Sequence, residues 1–248
     1  MLRGLYISAS GMIVDELRHE VVSNNLANAN TTGYKKDLVI GQTFPEVLMS
    51  CLYKDQAKII GQTGLGVGVA DIPIKMTPGM IENTNNALDL ALNGDGFFVL
   101  ETAQGRRITR QGDFQLDREG YLVNFDGDFL LGEGGAIRLD PQGEKVRVLS
   151  DGGIFQGDEF VDRLVLVNYD PSVIAKEGSG RFTVSQDAEM LDLEAQIIQG
   201  ALERSNVNII EEMVEMISLM RAYESAQKLV HAQNETLGKL INEMASGS

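Results

Sequence analysis

The sequence predicts an α+β fold: helices at the two ends of the chain form a coiled coil, and between them lies a central antiparallel β domain, barrel-like or sandwich-like. Three observations lead to this prediction. Apolar residues recur at helical spacing near both termini, short alternating apolar segments fill the middle, and no proline interrupts 205–244. The predicted domains are a terminal helical domain of 1–36 with 200–248, an extended linker or β segment of 37–95, and a β domain of 96–199.

The first helix is predicted over residues 1 to about 27. Its apolar face is formed by residues at three- to five-residue steps, namely Leu2, Leu5, Ala9, Met12, Leu17 and Val21. Turn-forming residues then end the helix: Asn24, Asn25, Asn28, Asn30, Thr31, Thr32 and Gly33. We expect the asparagine amides to bond backbone groups and fix the direction in which the chain leaves the helix, with Gly33 at a positive φ. Simple helix termination is the alternative reading.

Residues 34–95 predict extended chain with little side-chain bulk. Glycines alternate with small and branched residues at positions 61, 64, 66 and 68, while Pro73 and Pro78 disfavour long helices. A polar run, 83–86, marks a further break in the pattern.

Residues from about 96 to 185 predict the β domain. Phe97–Leu100 is a short apolar strand, and apolar and polar residues alternate around Phe114 and Tyr121. The stretch 117–120 and the pair Asp126-Gly127 are typical of hairpin turns. Short strands at this spacing indicate a small antiparallel barrel or sandwich.

The last helix is predicted from about Ser205 to Met244, with Asn206 or Asn208 as its cap and acidic residues at its positive end. Its apolar residues repeat in two heptad columns, which favours a coiled coil over an ordinary long core helix. Including the first helix, the predicted seam consists of Leu5, Met12, Met213, Met216, Met220, Tyr223, Val230, Leu237 and Ile241.

The length of this last helix predicts assembly. About 40 helical residues extend roughly 60 Å, whereas a compact domain of about 90 residues has a radius of gyration near ~12 Å. Since the first helix is shorter than the last, part of the apolar stripe stays uncovered in a single chain. Burying it against neighbouring copies by head-to-tail contact would give rings or open filaments.

Composition excludes several classes of function. The net charge of -15 opposes binding to nucleic acid and to anionic lipid. One cysteine cannot form an intrachain disulfide, and with two histidines it cannot build a Cys–His zinc site. No apolar run is long enough to span a membrane, and charged residues within 15–20 oppose a cleavable signal peptide.

Several segments, in the same order along the chain, carry a family resemblance. They are Ser23–Asn28, Asn30–Lys35, Asp89–Leu92, Gly94–Phe98, Thr109–Phe114, Glu203–Asn208, Glu211–Val214 and Arg221–Glu224. Together they resemble the signatures of flagellar basal-body rod and hook proteins across the whole chain. The assembly motif that the resemblance assigns here is Asn24, Asn25, Leu26, Ala27, Asn28, Gly33, Ser205, Asn206 and Val207.

The resemblance implies a structural subunit of the bacterial flagellar rod, the axial tube that crosses the periplasm and transmits torque from motor to hook. It implies export through the flagellar type III apparatus without cleavage, and partners among copies of itself and other axial proteins. Composition and resemblance together lead us to expect no catalytic, metal or cofactor site, no nucleic-acid partner and no membrane insertion. The chain is short for a hook protein. Because the stretch 55–71 is shorter than the insertion associated with the distal rod subunit, the last proximal subunit is favoured and the distal subunit is the alternative.

Three rival functions follow from other features. Asp113, Asp117, Asp126 and Asp128 could serve a glycoside hydrolase, although each lies in a turn context. The stretch 124–128 faintly resembles a calcium loop, and 64–68 is a glycine-rich run without the dinucleotide-binding pattern. A secreted adhesin with helical ends would be a stable monomer that never assembles.

Overall fold

The structure is a computed structural model that describes residues 2–45, 47–53, 56–185, 187–193 and 195–246. The chain divides into two compact units, and each is built from separate stretches of sequence. The helical unit comprises residues 1–26, 37–73 and 209–248. The β unit comprises residues 27–36 and 74–208.

The helical unit contains two long helices and two antiparallel strand pairs. Its elements are α1 Leu2–Ala27, β1 Ile40–Thr43, β2 Val47–Tyr53, β3 Gln56–Thr63, β4 Val67–Asp71 and α2 Ile209–Ser246. Strand β1 pairs with β4, and β2 forms a hairpin with β3.

The two helices run antiparallel. Asn25, near the end of α1, bonds to Glu212, near the start of α2. At the other end Gly4 lies so close to Gln233 that a Cβ on residue 4 would come within 2.9 Å of Nε2. Because α1 has 26 residues and α2 has 38, α2 exceeds its partner by about 18 Å at 1.5 Å per residue.

The β unit contains short strands joined by turns. Its strands are β5 Ile81–Asn83, β6 Leu90–Asn93, β7 Phe97–Thr102, β8 Gly105–Thr109, β9 Gln115–Leu116, β10 Leu122–Val123, β11 Phe129–Gly132, β12 Gly135–Ala136, β13 Val146–Val148, β14 Gly153–Gln156, β15 Glu159–Arg163, β16 Leu166–Val167, β17 Ile174–Gly178, β18 Arg181–Val184, β19 Gln196–Gln199 and β20 Ala201–Glu203. A 3-10 turn, Pro171–Val173, precedes β17.

Its largest sheet is an open path of antiparallel strands. The order is β17-β18-β8-β7-β11-β10-β9, with β12 added to β11 and β16 added to β7. Smaller ladders join β13-β14-β15, β19-β6 and β20-β5. In the described ranges β17 and β9 do not pair, so the sheet is not a closed barrel.

Strand β7 lies at the centre of the β unit, and both of its faces are buried. Successive side chains on a strand point to opposite faces, so Phe98 and Leu100 join one apolar cluster while Phe97 and Val99 join another. Phe98 packs edge-to-face on Phe114 with ring centroids 5.4 Å apart. A continuous apolar run is the pattern expected of a strand covered on both sides.

The terminal helices and the central antiparallel β region expected from the sequence are confirmed. The predicted coiled coil stays a prediction. The second helix begins at Ile209, four residues after the expected start near Ser205, because Asn206 is bound within the β unit.

Candidate functional site

Three charged side chains meet in the interior of the β unit. Lys35 Nζ forms an ion pair with Oε1 of Glu203, and Arg110 NH1 donates to Oε2 of the same carboxylate at 3.4 Å. The side chains of Lys35 and Glu203 are 1% exposed and that of Arg110 is 3% exposed. We call these residues the ionic junction. Each comes from a different motif of the sequence, so the fold brings three distant motifs to one point.

Backbone groups complete the coordination of Glu203 and Lys35. The backbone N–H of Gly79 donates to Glu203 Oε1 at 2.8 Å, so both carboxylate oxygens accept hydrogen bonds. Lys35 Nζ donates to the backbone oxygen of Thr77 at 3.1 Å. A buried charge is tolerated when it forms an ion pair and when its remaining donors or acceptors form hydrogen bonds. The junction meets that condition for these two residues.

Arg110 is held less completely. Its NH2 donates to the backbone oxygen of Gly94 at 2.9 Å, and its guanidinium carbon lies 5.2 Å from the ring centroid of Phe97. Its Nε is buried and finds no acceptor among the described residues. The junction therefore contains one orphaned donor.

Burial governs the ionisation of both cations. Desolvation lowers the pKa of Lys35 below its ordinary value, and the adjacent Glu203 carboxylate partly offsets this effect. Desolvation likewise lowers the pKa of Arg110, although a guanidinium stays charged in proteins. The attraction to Glu203 is what makes burial of these cations tolerable.

Gly33, from the predicted motif, is required at its position for two reasons. Its φ of 64 lies in the left-handed region that favours glycine. A Cβ there would lie 2.4 Å from the carbonyl carbon of Arg110. Its N–H donates to the backbone oxygen of Glu203 at 2.8 Å. The positive φ expected from the sequence is present.

Asn206 binds backbone groups of two other segments. Its Oδ1 accepts from the N–H of Lys36 at 2.8 Å, while its Nδ2 donates to the backbone oxygens of Lys75 at 2.7 Å and Thr77 at 3.0 Å. The side chain is therefore bound within the β unit. Asn206 was one of the two residues expected to cap α2, and it does not do so. Asn208 immediately precedes α2.

Asn25 performs a similar role in the helical unit. Its side chain is 2% exposed. Nδ2 donates to the backbone oxygen of Asp37 at 2.9 Å and to Glu212 Oε2 at 3.3 Å, and Oδ1 accepts from the N–H of Asp37 at 3.0 Å. The amide thus joins the end of α1, the segment before β1 and the start of α2. A special role for the asparagine cluster stays a proposal.

The remaining motif residues lie on the same two segments. Asn28 closes a turn, because its backbone and side-chain oxygens each accept from Thr31 at 3.2 Å. Ser205 Oγ accepts from the N–H of Val207 at 3.3 Å. In α1, Asn24 and Ala27 are exposed, whereas Leu26 is half-buried.

The predicted seam residues of α2 divide into two groups. Met216, Val230 and Leu237 belong to one heptad column and are half-buried. The second inward column is Glu212, Leu219, Ala226 and Gln233, one residue before the column that was predicted. Leu5 and Met12 of α1 are half-buried, and Tyr223 is 37% exposed.

The predicted column is about half exposed, and Met220 also borders a groove lined by Asp15, Glu16 and His19 of α1. Met213, Met220 and Ile241 are 48%, 53% and 65% exposed. Ile210, Val214 and Ile217 extend the exposed apolar surface at 74%, 63% and 53%. We call Ile210, Met213, Val214, Ile217 and Met220 the outer face of α2. These exposures describe one chain, so contact of this face with another subunit stays a prediction.

The structure disfavours the rival sites. Asp113 accepts a hydrogen bond from Thr32, and Asp117 accepts from two backbone N–H groups of its own turn. Asp128 is bound by Arg181, which also approaches Asp126, so these carboxylates are occupied by protein partners. Across the ranges that the structure describes, no three His, Cys, Asp or Glu side chains are grouped to hold a metal ion. No helix of the described part is long and apolar enough to cross a membrane.

The ionic junction was not predicted as a site. Lys35, Arg110 and Glu203 stand in the quoted motifs, but spacing gives no sign that charges 168 residues apart form a pair. Fully buried Lys, Arg and Glu are rare unless paired, so no sequence pattern would have singled them out. Glu212 was interpreted only through the helix dipole, whereas it is 1% exposed and bonded to Asn25.

Three family models match the chain in consecutive parts. They are "Flagella basal body rod protein" over residues 5–35, "Flagellar hook protein FlgE/F/G D1 domain" over 91–156 and "Flagellar basal body rod FlgEFG protein C-terminal" over 198–243. Each ionic residue lies within a matched region.

Curated relatives match over nearly the whole chain. The flagellar basal-body rod protein FlgF of Caulobacter vibrioides is 35% identical over 234 residues, covering 93% of each chain. FlgG of Bacillus subtilis is 32% identical over 266 positions, covering 98% of this chain and 99% of its own. FlgF of Mesorhizobium japonicum is 28% identical and covers 100% of both.

Proposed function

Since the chain belongs to the family of flagellar basal-body rod proteins and is a structural rod subunit rather than an enzyme, we propose that it is the last subunit of the proximal rod. It polymerises with copies of itself and with other axial proteins of the flagellum. It reaches the periplasm-spanning rod through the flagellar type III apparatus, without cleavage of a signal.

The outer face of α2 is the observation that carries the proposal of assembly. Its five apolar residues stand at positions i, i+3, i+4, i+7 and i+10, which places them on one side of the helix, and all are exposed in the single chain. Contiguous exposed apolar patches mark interaction surfaces. Packing this face on a neighbour's helices would extend the α1–α2 pair into the predicted coiled coil, and close packing would give the rigidity that torque transmission needs.

The short segment after β2 supports the proximal position. Within 56–71, where every residue is described, the strands are β3 and β4, and β3 pairs antiparallel with β2. The distal type is expected to carry a longer insertion here. The distal rod subunit is the alternative proposal, and a hook-type protein, which would need a large insertion in the β region, is a more remote one.

Labelling the subunit within the rod tests the position. A short peptide tag inserted after Asp158, an exposed residue in the β14–β15 turn, can be located by electron microscopy of purified basal bodies. We expect label in the half of the rod nearer the motor, with swimming preserved. Label confined to the half nearer the hook would instead assign the distal position, and absence from the rod would refute the function.

The proposed domain boundaries 36/37, 95/96 and 199/200 can be examined by limited proteolysis of the free chain. Cleavage that clusters at these positions would support them. Cleavage elsewhere, with these positions resistant, would refute them.

A further inference from the structure

A groove lies between α1 and α2 in the helical unit, and it has a volume of about 250 Å³. Its lining combines apolar side chains with acidic ones. The apolar residues are Leu219, Met220 and Tyr223, and the acidic residues are Asp15, Glu16 and Glu224. The groove is thus open to a ligand that has both an apolar and a charged part.

The negative charge of this groove is largely uncompensated. Asp15 Oδ1 lies 4.0 Å from NH1 of Arg18. Neither Glu16 nor Glu224 forms an ion pair with any residue that the structure describes, and both are exposed. With His19 counted as neutral, three of the lining side chains are negative and none is positive. The groove therefore favours a cation.

The lining fits a cation that is carried on an aliphatic stem. Such a stem packs along apolar surface while its charged end meets acceptors. A guanidinium is attracted to the face of an aromatic ring such as that of Tyr223, and carboxylates accept charge-assisted hydrogen bonds from it. Since a water molecule occupies about 30 Å³ in the liquid, the groove has room for one long side chain.

Arg221 is the cation that the outer face of α2 would bring to such a groove. It follows Val214 by seven residues and Ile217 by four, so it lies on the same side of the helix as the outer face. The residue is exposed and forms no ion pair within the described ranges. Met220 belongs both to the outer face and to the groove, so the two surfaces are continuous.

The charge of the chain indicates that the groove and Arg221 belong to different copies in the contact. Each copy has a net charge of -15, so two copies repel each other unless basic residues of one meet acidic residues of the other. An arginine on one copy and an acidic groove on the next supply this match. Because the two surfaces are different, the contact is heterologous and repeats from copy to copy.

We propose that the groove between α1 and α2 receives the Arg221 side chain of a neighbouring copy. The carboxylates of Glu16 and Glu224 accept from its guanidinium, which lies over the ring of Tyr223. Its aliphatic stem packs on Met220. The inference rests on the proposed rod function, because it needs a second copy, and it adds to that function a charged pair that fixes the register of neighbouring helices.

Charge reversal tests this pair. Incorporation is measured as the amount of the chain in basal bodies purified from a complemented deletion strain, and helical circular dichroism of each purified variant checks folding. Arg221→Glu and Glu16→Arg should each reduce incorporation at least about tenfold, because like charges then meet in the contact. The double variant restores opposite charges and should be incorporated better than either single variant. If the two losses simply added, the residues would not meet.

Two controls separate the groove from the net charge. Glu20→Arg changes the charge of α1 as Glu16→Arg does, at an exposed position that does not line the groove. Arg118→Glu makes the same change as Arg221→Glu in an exposed turn of the β unit. Both controls should be incorporated as well as the parent chain. Losses equal to those of the groove variants would assign the effect to net charge and overturn the pair.

Comparison with the outer face distinguishes failure of the pair from failure of the proposed function. Suppose that Ile217→Glu is excluded from basal bodies while Arg221→Glu and Glu16→Arg are incorporated normally. The outer face would then remain the interface, and the groove pair would be refuted. Absence of the parent chain itself from basal bodies would refute the rod function and the pair together.

Discussion

At the scale of single residues, Glu203 is the side chain on which the β unit depends most. It is the anion shared by two buried cations, and its backbone oxygen also accepts from Gly33. A buried ion pair is not strongly stabilising relative to an apolar pair of the same shape, but removing one partner leaves the other charge uncompensated. A substitution of Glu203 therefore destabilises the chain because it leaves two buried cations without a counter-charge, and not only because a contact is lost.

Glu203→Gln should lower the free energy of unfolding by about 3–5 kcal/mol, because Lys35 and Arg110 remain buried without a counter-charge. Urea unfolding followed by circular dichroism measures this change. Glu82→Gln is the matched control, since Glu82 forms an exposed ion pair with Arg204 and exposed pairs contribute little. Similar decreases in the free energy of unfolding in the two variants would show that the buried junction contributes no more than an exposed ion pair.

Gly33→Ala should destabilise the chain by more than the left-handed backbone alone would cause. The conformational penalty is about 1–2 kcal/mol, and the close approach of the Arg110 carbonyl adds a steric term. Gly127→Ala isolates the first contribution, because Gly127 has φ 86 with no atom within 4 Å of the added Cβ. If both variants unfolded at the same urea concentration, the steric argument would be wrong.

At the scale of elements, α2 has two apolar surfaces that differ in exposure. One surface packs on α1 within the helical unit through Leu219 and the half-buried heptad residues. The other, its outer face, lies in solvent in the single chain. A helix with apolar residues on more than one side is expected where it is buried by more than one neighbour.

Ile217→Glu should abolish assembly without unfolding the subunit, because a charge on the outer face would be buried against the neighbour but remains hydrated in the single chain. Sedimentation and motility of a complemented deletion strain measure assembly, and helical circular dichroism measures folding. Ala222→Glu adds the same charge at an exposed position of α2 away from the outer face and should leave assembly largely intact. Normal rods formed by Ile217→Glu would rule out this face as an interface.

At the scale of the whole molecule, the dominant property is an excess of acidic residues, with a net charge of -15. Several of these carboxylates are stabilised in the folded chain. Hydrogen bonding and attraction from Arg204 lower the pKa of Glu82, and hydrogen bonding from Arg107 lowers that of Glu177. Folded pKa values below the ordinary value of 4.5 mean that the unfolded chain binds these protons more tightly.

Stability should therefore fall as the pH drops from about 4.5 through the lowered folded values, and it should be fully retained above that window. Urea unfolding between pH 3 and 7 tests this dependence. In Glu177→Gln the free energy of unfolding should decrease less steeply below pH 4.5 than in the parent chain. High salt should reduce this difference between the two chains, because Glu82 and Glu177 are exposed and their ion pairs are screened. If the free energy of unfolding decreased with the same slope in Glu177→Gln and in the parent chain, Glu177 would not contribute to the loss of stability in acid.

Local patterns were enough to predict several elements. Helical spacing predicts the two terminal helices, and the apolar run Phe97–Leu100 with the alternation around Phe114 and Tyr121 predicts short antiparallel strands, because these patterns depend only on neighbouring residues. The positive φ of Gly33 also followed from its place in a cluster of turn formers. The helix α2 begins at Ile209 and not near Ser205, because the hydrogen bonds of Asn206 hold that residue within the β unit.

The sequence by itself determined which stretches are helical and which extended, the acidic character of the chain and its resemblance to rod proteins. Only the tertiary structure decided which heptad column of α2 faces α1, because a one-residue shift changes that column without changing the repeat. It also decided that Lys35, Arg110 and Glu203 form one buried junction. These three charges must be paired because the fold removes them from water together. No local sequence pattern indicates which charges the fold will bring into contact.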